Sequence, residues 1–168
     1  MCPPTPYAAS KLCGEAMALA AGRDVVVLRP FNHTGPGQSD AYVCPRIARQ
    51  VALAERGLQP RVVTLGALAP RLDFFDVRDM VRAYVLAAEK GKPGEVYNVA
   101  AGRPVSIGEI GRLLISMARV PLRLQAKAGP SIRLTGDPTK FRSATGWCPQ
   151  ISLSQTLTDT LAHERAHV

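Results

Sequence analysis

The chain has 168 residues, a formal net charge of +8, 46% hydrophobic residues and 20% charged residues. This is the composition of an ordinary globular protein of about one domain's size, and it excludes an intrinsically disordered chain. No apolar run approaches the ~18 residues that can span a membrane. The first residues have neither the basic nor the apolar region of a secretory signal, so we expect a cytoplasmic protein with no membrane partner.

The positive charge favours an anionic partner, either nucleic acid or a small molecule that carries phosphates. Basic residues are spread along the chain and aromatic residues make up only 5%, so the stacking platforms of nucleic-acid binders are not evident. We therefore expect a small molecule and no nucleic acid. The cysteines are widely spaced without a CxxC pair, which predicts free thiols and no metal site; they are Cys2, Cys13, Cys44 and Cys148.

The first predicted element is a helix from Pro6 to about Ala21. Thr5 is a suitable N-cap, proline is favoured at the first helical position, and Gly22 ends the helix. Tyr7 and Lys11 are four residues apart, so their side chains share one face. An ammonium beside a phenol favours the phenolate form, which makes such a pair a usable acid or base near neutral pH. By itself, however, this spacing also occurs on ordinary surface helices.

A strand and a loop follow this helix. The residues from Val25 to Leu28 are apolar and mostly β-branched, which predicts a parallel strand buried on both faces. Proline cannot donate to a sheet ladder, so the strand is expected to stop at Arg29-Pro30. Asn32 to Asp40 is rich in glycine and proline and is predicted to be a loop. Ligands bind at the carboxyl ends of parallel strands, which is where this loop would lie.

The rest of the chain alternates between predicted helices and strands. One helix, capped by Asp79 and ending at Gly91, is expected to pack one apolar face inward; that face carries Val81, Tyr84, Val85 and Ala88. The other elements are helices from Cys44 to Arg56, after Ser106, after Asp137-Pro138 and around Leu153 to Leu161, and strands at Val62 to Leu65, Arg71 to Asp76, Glu95 to Val99 and Leu122 to Leu124.

Five blocks of sequence occur in a fixed order: PYAASK, RPFNHTGPGQ, RLDFFDVRDMVRAY, GEVYNV and TGWCP. Together they resemble the extended short-chain dehydrogenase/reductase family, the NAD(P)-dependent sugar-nucleotide epimerases, dehydratases and reductases. The resemblance is closest to the GDP-4-keto-6-deoxy-D-mannose reductases. It implies an α/β fold that consists of the C-terminal part of a Rossmann-like doubly wound sheet and a smaller α/β substrate-binding lobe.

Members of that family begin with a glycine-rich strand–turn–helix that binds the dinucleotide pyrophosphate. Neither GxxGxxG nor GxGxxG occurs in this sequence, so the chain is expected to correspond to the C-terminal half of an enzyme. Residues 1–38 would be a remnant of the dinucleotide-binding domain, and residues 39–168 would complete the sheet and form the substrate lobe. The chain alone is expected to be inactive and to self-associate through its open sheet edge, and the full-length form could be a homodimer.

The resemblance also implies catalytic and cofactor-binding roles. Tyr7 would protonate a sugar keto oxygen, and Lys11 would bind the nicotinamide ribose and bias Tyr7 electrostatically. Pro30 and His33, together with the Tyr–Lys pair, would contact the cofactor, NADP or NAD. Asn32 would contact the substrate. The structural alternatives are a turn residue for Asn32 and a solvated loop residue for His33.

Three cations are candidates for binding the phosphates of a nucleotide-sugar, with a GDP-hexose as the preferred substrate. The resemblance assigns Arg71 to the diphosphate, because a guanidinium offers a planar fork to phosphate. Its structural alternative is an ion pair with Asp73 or Asp76. Arg46 and Lys127 are weaker candidates.

Two departures from the reductases bear on specificity. Lys127 stands where those sequences usually carry an arginine, and Leu72 stands where they often carry a second one. Two other functions stay open: a nucleotide-sugar epimerase or dehydratase with a tightly retained NAD, and a non-catalytic sugar-nucleotide-binding module, which the missing glycine-rich turn favours.

Overall fold

The computed structural model of the protein describes residues 3–22 and 24–168. The helices are α1 (Pro6–Ala20), α2 (Val43–Glu55), α3 (Val77–Lys90), α4 (Ile107–Ser116), α5 (Thr139–Thr145) and α6 (Leu153–His167). The strands are β1 (Val27–Pro30), β2 (Asn32–Thr34), β3 (Val62–Leu65), β4 (Arg71–Asp76), β5 (Val96–Val99), β6 (Pro104–Ser106), β7 (Arg123–Ala126) and β8 (Arg133–Leu134). Within these ranges no helix is long and apolar enough to cross a membrane.

The strands form small, mostly parallel sheets. β1 pairs with β5, and β3 pairs with β7, both in parallel. β4 lies between β2 and β6 and also pairs with β8, with only β6 antiparallel to it among the described strands. The predicted mixed α/β fold is therefore confirmed.

Two apolar cores lie on opposite sides of β4. The larger core packs α2, α4 and α6 against β3 and one face of β4, where Phe74 contributes. The smaller core packs α3 and α5 against β1 and β5, and Phe75 reaches it from the other face of β4. The rings of Phe75 and Trp147 meet there edge to face, with centroids 5.9 Å apart. Neither core contains a residue of α1.

The first strand and the loop after it differ from the prediction. β1 begins two residues later than expected, and its residues are half-buried or exposed instead of buried on both faces. It pairs only with β5 among the described strands, which leaves its other edge uncovered. The first three residues of the predicted loop, Asn32–Thr34, form β2, because β4 offers them a parallel ladder that no local signal reveals.

The cap of α3 also differs from the prediction. The N-cap is Asp76, whose Oδ1 accepts the backbone N–H of Arg78 at 2.8 Å. Asp79 lies inside the first turn and is fully buried. Its Oδ2 accepts the backbone N–H groups of Gln150 and Ile151, each at 3.0 Å, so this carboxylate joins α3 to the segment before α6.

The predicted inward face of α3 is wrong. Val81, Tyr84 and Val85 are 57%, 54% and 53% exposed. The helix instead turns Met80, Ala83 and Ala87 towards the smaller core. The alanine side chains are short, so this face can approach the two-stranded β1–β5 sheet closely.

Other local signals are confirmed. β3 and β4 occupy the predicted residues. Ser106 and Glu109 form a complete capping box at the start of α4. Gly146 ends α5 with a φ of 74°, a left-handed conformation that favours glycine. β6 and β8 were not predicted from the sequence.

A largely buried ion pair joins α2 to α6. Arg165 donates to both carboxylate oxygens of Glu55, at 2.6 and 2.8 Å, and the Glu55 side chain is only 7% exposed. Hydrogen bonding from Arg165 outweighs the effect of burial and holds the pKa of Glu55 below its ordinary value.

This pair predicts a pH-dependent stability. Because the folded-state pKa of Glu55 is lowered, its stabilisation is present above the ordinary value of 4.5 and is lost as pH falls through the folded pKa. We expect Glu55→Gln to lower the free energy of unfolding by about 1–2 kcal/mol at neutral pH and by much less in acid. Urea unfolding in neutral and acidic buffer tests this, with the exposed Glu89→Gln as the control. An equal loss at both pH values would contradict it.

Candidate active site

A cavity of about 630 Å³ lies at the carboxyl ends of β1 and β5. Its size is typical of small-molecule sites, and ligands of open α/β sheets bind at this end of the strands. α1 contributes Tyr7, and the chain from β1 into β2 contributes Arg29 to Thr34. The opposite wall is mainly apolar and includes Leu72, Phe74 and Leu134.

The tyrosine and lysine of α1 share one face, as predicted. Thr5 caps this helix by accepting the backbone N–H of Ala8 at 3.1 Å. The Lys11 Nζ lies 5.4 Å from the centroid of the Tyr7 ring. Tyr7 lines the cavity while remaining 72% exposed. The geometry brings a phenol and an ammonium together at the mouth of the cavity, and their catalytic role stays a prediction.

The corner after β1 brings three more predicted residues into the same cavity: Pro30, Asn32 and His33. The Asn32 amide Nδ2 donates to the backbone oxygen of Asp73 at 3.1 Å, which fixes its orientation. His33 Nδ1 lies 3.1 Å from the backbone oxygen of Phe31. Since a carbonyl can only accept, this hydrogen bond needs a proton on Nδ1.

The three candidate phosphate-binding cations do not line this cavity. The Arg71 Nη1 lies 3.1 Å from Glu109 Oε2, and its Nη2 donates to the backbone oxygen of Pro104 at 3.2 Å. Its ion-pair partner is thus Glu109, not one of the two aspartates considered from the sequence. Arg46 donates to backbone oxygens of the loop before α2, and Lys127 lies exposed after β7.

Strand alternation explains why Leu72 lines the cavity whereas Arg71 does not. Successive side chains of a strand point to opposite faces, and β4 presents Leu72 and Phe74 to the cavity. The position at which related reductases often carry a second arginine is therefore the one that faces the site. This chain places an apolar side chain there.

Sequence reasoning missed several polar residues of the cavity. Arg29 and Asn98 are direct partners in the β1–β5 ladder and both line the site. Thr34 donates its hydroxyl to Gln38 Oε1 at 2.7 Å, and the Gln38 amide donates to the backbone oxygen of His33 at 3.3 Å. The available signal was position, since Arg29 and Asn98 lie near the carboxyl ends of predicted strands.

The three cysteines that the structure describes offer no reactive group in this site. Cys44 lines the cavity and is 1% exposed, and burial raises the pKa of its thiol to about 12. It is therefore neutral at physiological pH and is not a nucleophile. Cys13 and Cys148 are free thiols, while Cys2 lies outside the described residues. Residues 3–22 and 24–168 contain no cluster of three His, Cys, Asp or Glu side chains that could hold a metal.

Asp73 supports the cavity from the far side of β4. It is fully buried, and its carboxylate accepts the backbone N–H groups of Ala101, Gly102 and Gly136 at 2.8, 2.9 and 3.2 Å. Its backbone oxygen holds Asn32. One residue thus connects a cavity side chain with two segments from other parts of the chain.

We expect Asp73→Ala to lower the free energy of unfolding by about 2–4 kcal/mol, because three N–H groups lose their acceptor. Urea unfolding measures this loss. The control is Glu89→Ala at an exposed site of α3, which should stay within about 0.5 kcal/mol. A loss as small as that of the control would show that other acceptors replace the carboxylate.

The fold combines parallel sheets and packed helices, and a helix with a Tyr-x-x-x-Lys sequence lies beside the carboxyl ends of the strands. This combination defines a Rossmann-like protein of the short-chain dehydrogenase/reductase type. The sequence model of the NAD dependent epimerase/dehydratase family matches residues 2–100. The chain belongs to this family.

Curated relatives cover nearly all of this chain. GDP-6-deoxy-D-mannose reductase from Pseudomonas aeruginosa is 36% identical over an alignment of 175 positions that covers 99% of this chain and 58% of that protein. dTDP-glucose 4,6-dehydratase from Streptomyces griseus is 29% identical over an alignment of 179 positions that covers 98% of this chain and 51% of that protein. The chain therefore spans only 51–58% of the length of these two relatives.

Solved structures agree with these matches. RMD from Pseudomonas aeruginosa, complexed with NADPH, superposes with a TM-score of 0.88 at 34% identity, over 99% of this chain and 58% of that one. dTDP-glucose 4,6-dehydratase from Bacillus anthracis, in complex with NAD, gives a TM-score of 0.84 at 24% identity, over 99% of this chain and 54% of that one. The second similarity shows the shared fold alone.

Proposed function

We propose that this chain provides the acid–base and substrate-binding part of an NAD(P)-dependent sugar-nucleotide reductase that acts on a 4-keto-6-deoxy GDP-hexose. The observation that carries the proposal is the cavity at the strand ends, which brings Tyr7, Asn32 and His33 together. The similarity to GDP-6-deoxy-D-mannose reductase supports the choice of substrate.

In this function Tyr7 protonates the keto oxygen of the sugar, and the Lys11 ammonium lowers the cost of negative charge on the phenol oxygen. Asn32, held by the backbone of Asp73, orients the sugar. The bound nicotinamide cofactor supplies the hydride. Tyr7 is exposed in this chain, so its proton donor is accessible from the cavity mouth.

The residues present fit one end of the cofactor. Pro30 and His33 line the strand end and would hold the nicotinamide, with Lys11 at its ribose. The sequence has no glycine-rich turn for the pyrophosphate, so this chain does not supply that part of the site.

The N-terminus of α2 is a candidate partner for the negative charge of a nucleotide-sugar at this cavity. The N-terminus of α2 has no side-chain cap, and its residues Tyr42, Val43 and Cys44 line the wall. Helix N-termini favour anions. This arrangement supports the binding of a diphosphate without Arg46, Arg71 or Lys127, whose phosphate contacts remain predictions.

The test is a fusion of this chain to the part of the Pseudomonas reductase that it does not span. We expect the fusion to oxidise NADPH in proportion to the GDP-4-keto-6-deoxy sugar reduced, measured as loss of nicotinamide absorbance together with product analysis. Epimerisation at C4 without net cofactor consumption would instead support the epimerase alternative. Dehydration of dTDP-glucose would support the dehydratase alternative, which the Streptomyces relative favours.

A further inference from the structure

The helix that carries the proposed catalytic pair is poorly anchored. α1 has no buried residue, and Tyr7, Leu12 and Met17 are 72%, 46% and 74% exposed. Neither apolar core includes any part of it. Ala8, Ala9, Ala18 and Leu19 are only half-buried, so apolar packing fixes the position of Tyr7 relative to the cavity weakly.

One ion pair connects α1 to the sheet. Arg29 Nε donates to Glu15 Oε2 at 2.9 Å, and Arg29 Nη2 donates to Glu15 Oε1 at 2.5 Å. Within residues 3–22 and 24–168, these are the only hydrogen bonds from α1 to another helix or strand. A bidentate contact fixes the direction of both side chains as well as their distance.

The pair is placed to act on the catalytic residues. Tyr7, Lys11 and Glu15 follow one another at intervals of four along α1, so they form one stripe. Arg29 lines the cavity next to Pro30. The ion pair therefore joins the tyrosine helix directly to the wall that receives the ligand.

The Glu15–Arg29 ion pair also competes with a second ion pair that Glu15 could form, with Lys11. Glu15 and Lys11 are four residues apart on α1, which is within reach of an intrahelical ion pair. Arg29 occupies both carboxylate oxygens of Glu15. Lys11 lies beside the Tyr7 ring instead, 5.4 Å from its centroid.

We propose that Glu15 and Arg29 are positioning residues: their bidentate pair docks the Tyr7–Lys11 helix on β1 and keeps Lys11 available to Tyr7. The positioning rests on the proposed function, whereas the docking does not. Exposed ion pairs usually contribute little to stability, but here the pair holds a helix that has no buried residue.

The docking is tested by hydrogen exchange on the 168-residue chain. We expect Glu15→Gln and Arg29→Gln each to speed exchange of the α1 amides roughly 3–10-fold, since a weakly held element opens locally. Exchange in α4 and α6 should not change, which shows that the fold persists. The charge-swapped double variant Glu15→Arg/Arg29→Glu should restore slow exchange.

The control is Lys140→Gln, which breaks an ion pair with Glu95 elsewhere in the chain and should leave α1 unaffected; the Lys140 and Arg29 side chains are 56% and 54% exposed. Unchanged α1 exchange in both single variants would overturn the proposal. So would failure of the charge swap to slow exchange again.

The effect on Lys11 is tested in the fused reductase. Arg29→Gln should lower kcat about 10-fold or more with a smaller change in KM, because the released Glu15 then pairs with Lys11. Adding Glu15→Gln should recover part of that loss, which a merely structural role would not do. Equal kcat in the single and double variants would overturn the competition with Lys11.

If the fusion reduces no sugar at all, the proposed function fails, while the exchange experiment still decides the docking.

Discussion

The 168-residue chain alone is expected to show no oxidoreductase turnover. Hydride transfer needs the nicotinamide held at reacting distance from the sugar carbon, and such orientation can supply about 7–11 kcal/mol of the barrier. The groups that would hold the pyrophosphate are backbone N–H groups of a glycine-rich turn, which this sequence lacks. Tyr7 and Lys11 stand together on α1, but without a held cofactor they have no reaction to assist.

The measurement is a titration of the purified chain with NADPH, followed by an assay with a 4-keto sugar nucleotide. The fusion with the reductase segment is the positive control. Micromolar cofactor binding together with turnover by the chain alone would contradict the prediction, and would mean that other residues bind the pyrophosphate.

In the fused enzyme, Tyr7→Phe is expected to lower kcat by about 10²–10⁴-fold, the usual scale for the loss of a general acid. The ring remains, so binding of the substrate should change little. Steady-state kinetics at several substrate concentrations separate the two effects.

Tyr42→Phe is a matched control, because Tyr42 lines the same cavity and is 60% exposed. Loss of its hydroxyl removes a polar group from the site but no proposed proton donor. Comparable losses in both variants would mean that the cavity responds to any missing hydroxyl, and unaltered turnover in Tyr7→Phe would exclude Tyr7 as the acid.

Local chemistry allowed much of this fold to be predicted. The Thr5 cap, the Ser106 capping box and the glycine at the end of α5 depend on a few neighbouring residues, and each is found. The same holds for the shared face of Tyr7 and Lys11. Each of these features depends on residues that are close together in the sequence, where a single interaction decides the conformation.

Features that depend on distant partners could not be predicted in this way. β2 exists because β4, some 40 residues later in the chain, pairs with it in register. The sequence predicts a cap at Asp79, because the true partners of its buried carboxylate, the backbone N–H groups at 150 and 151, belong to a remote segment. The sequence shows that residue 79 is an aspartate, but it does not show which N–H groups donate to its carboxylate.

The face that a helix or strand turns inward is a third feature that the sequence does not settle. The sequence predicts an amphipathic helix at α3, but the helix is rotated so that Val81, Tyr84 and Val85 face outward. In β4 the alternation puts Leu72, not Arg71, at the cavity. Exposed apolar residues on α3 and the unpaired edge of β1 support the expectation that the isolated chain self-associates.

The position of β4 between two cores limits how this protein can change in evolution. Phe74 and Phe75 are neighbours in the chain, yet each belongs to a different core. Insertion or deletion of one residue in β4 would exchange their faces and would move the Asp73 carboxylate away from its three N–H donors. Side chains of β4 can therefore vary in type where volume allows, whereas the length of this strand must be kept.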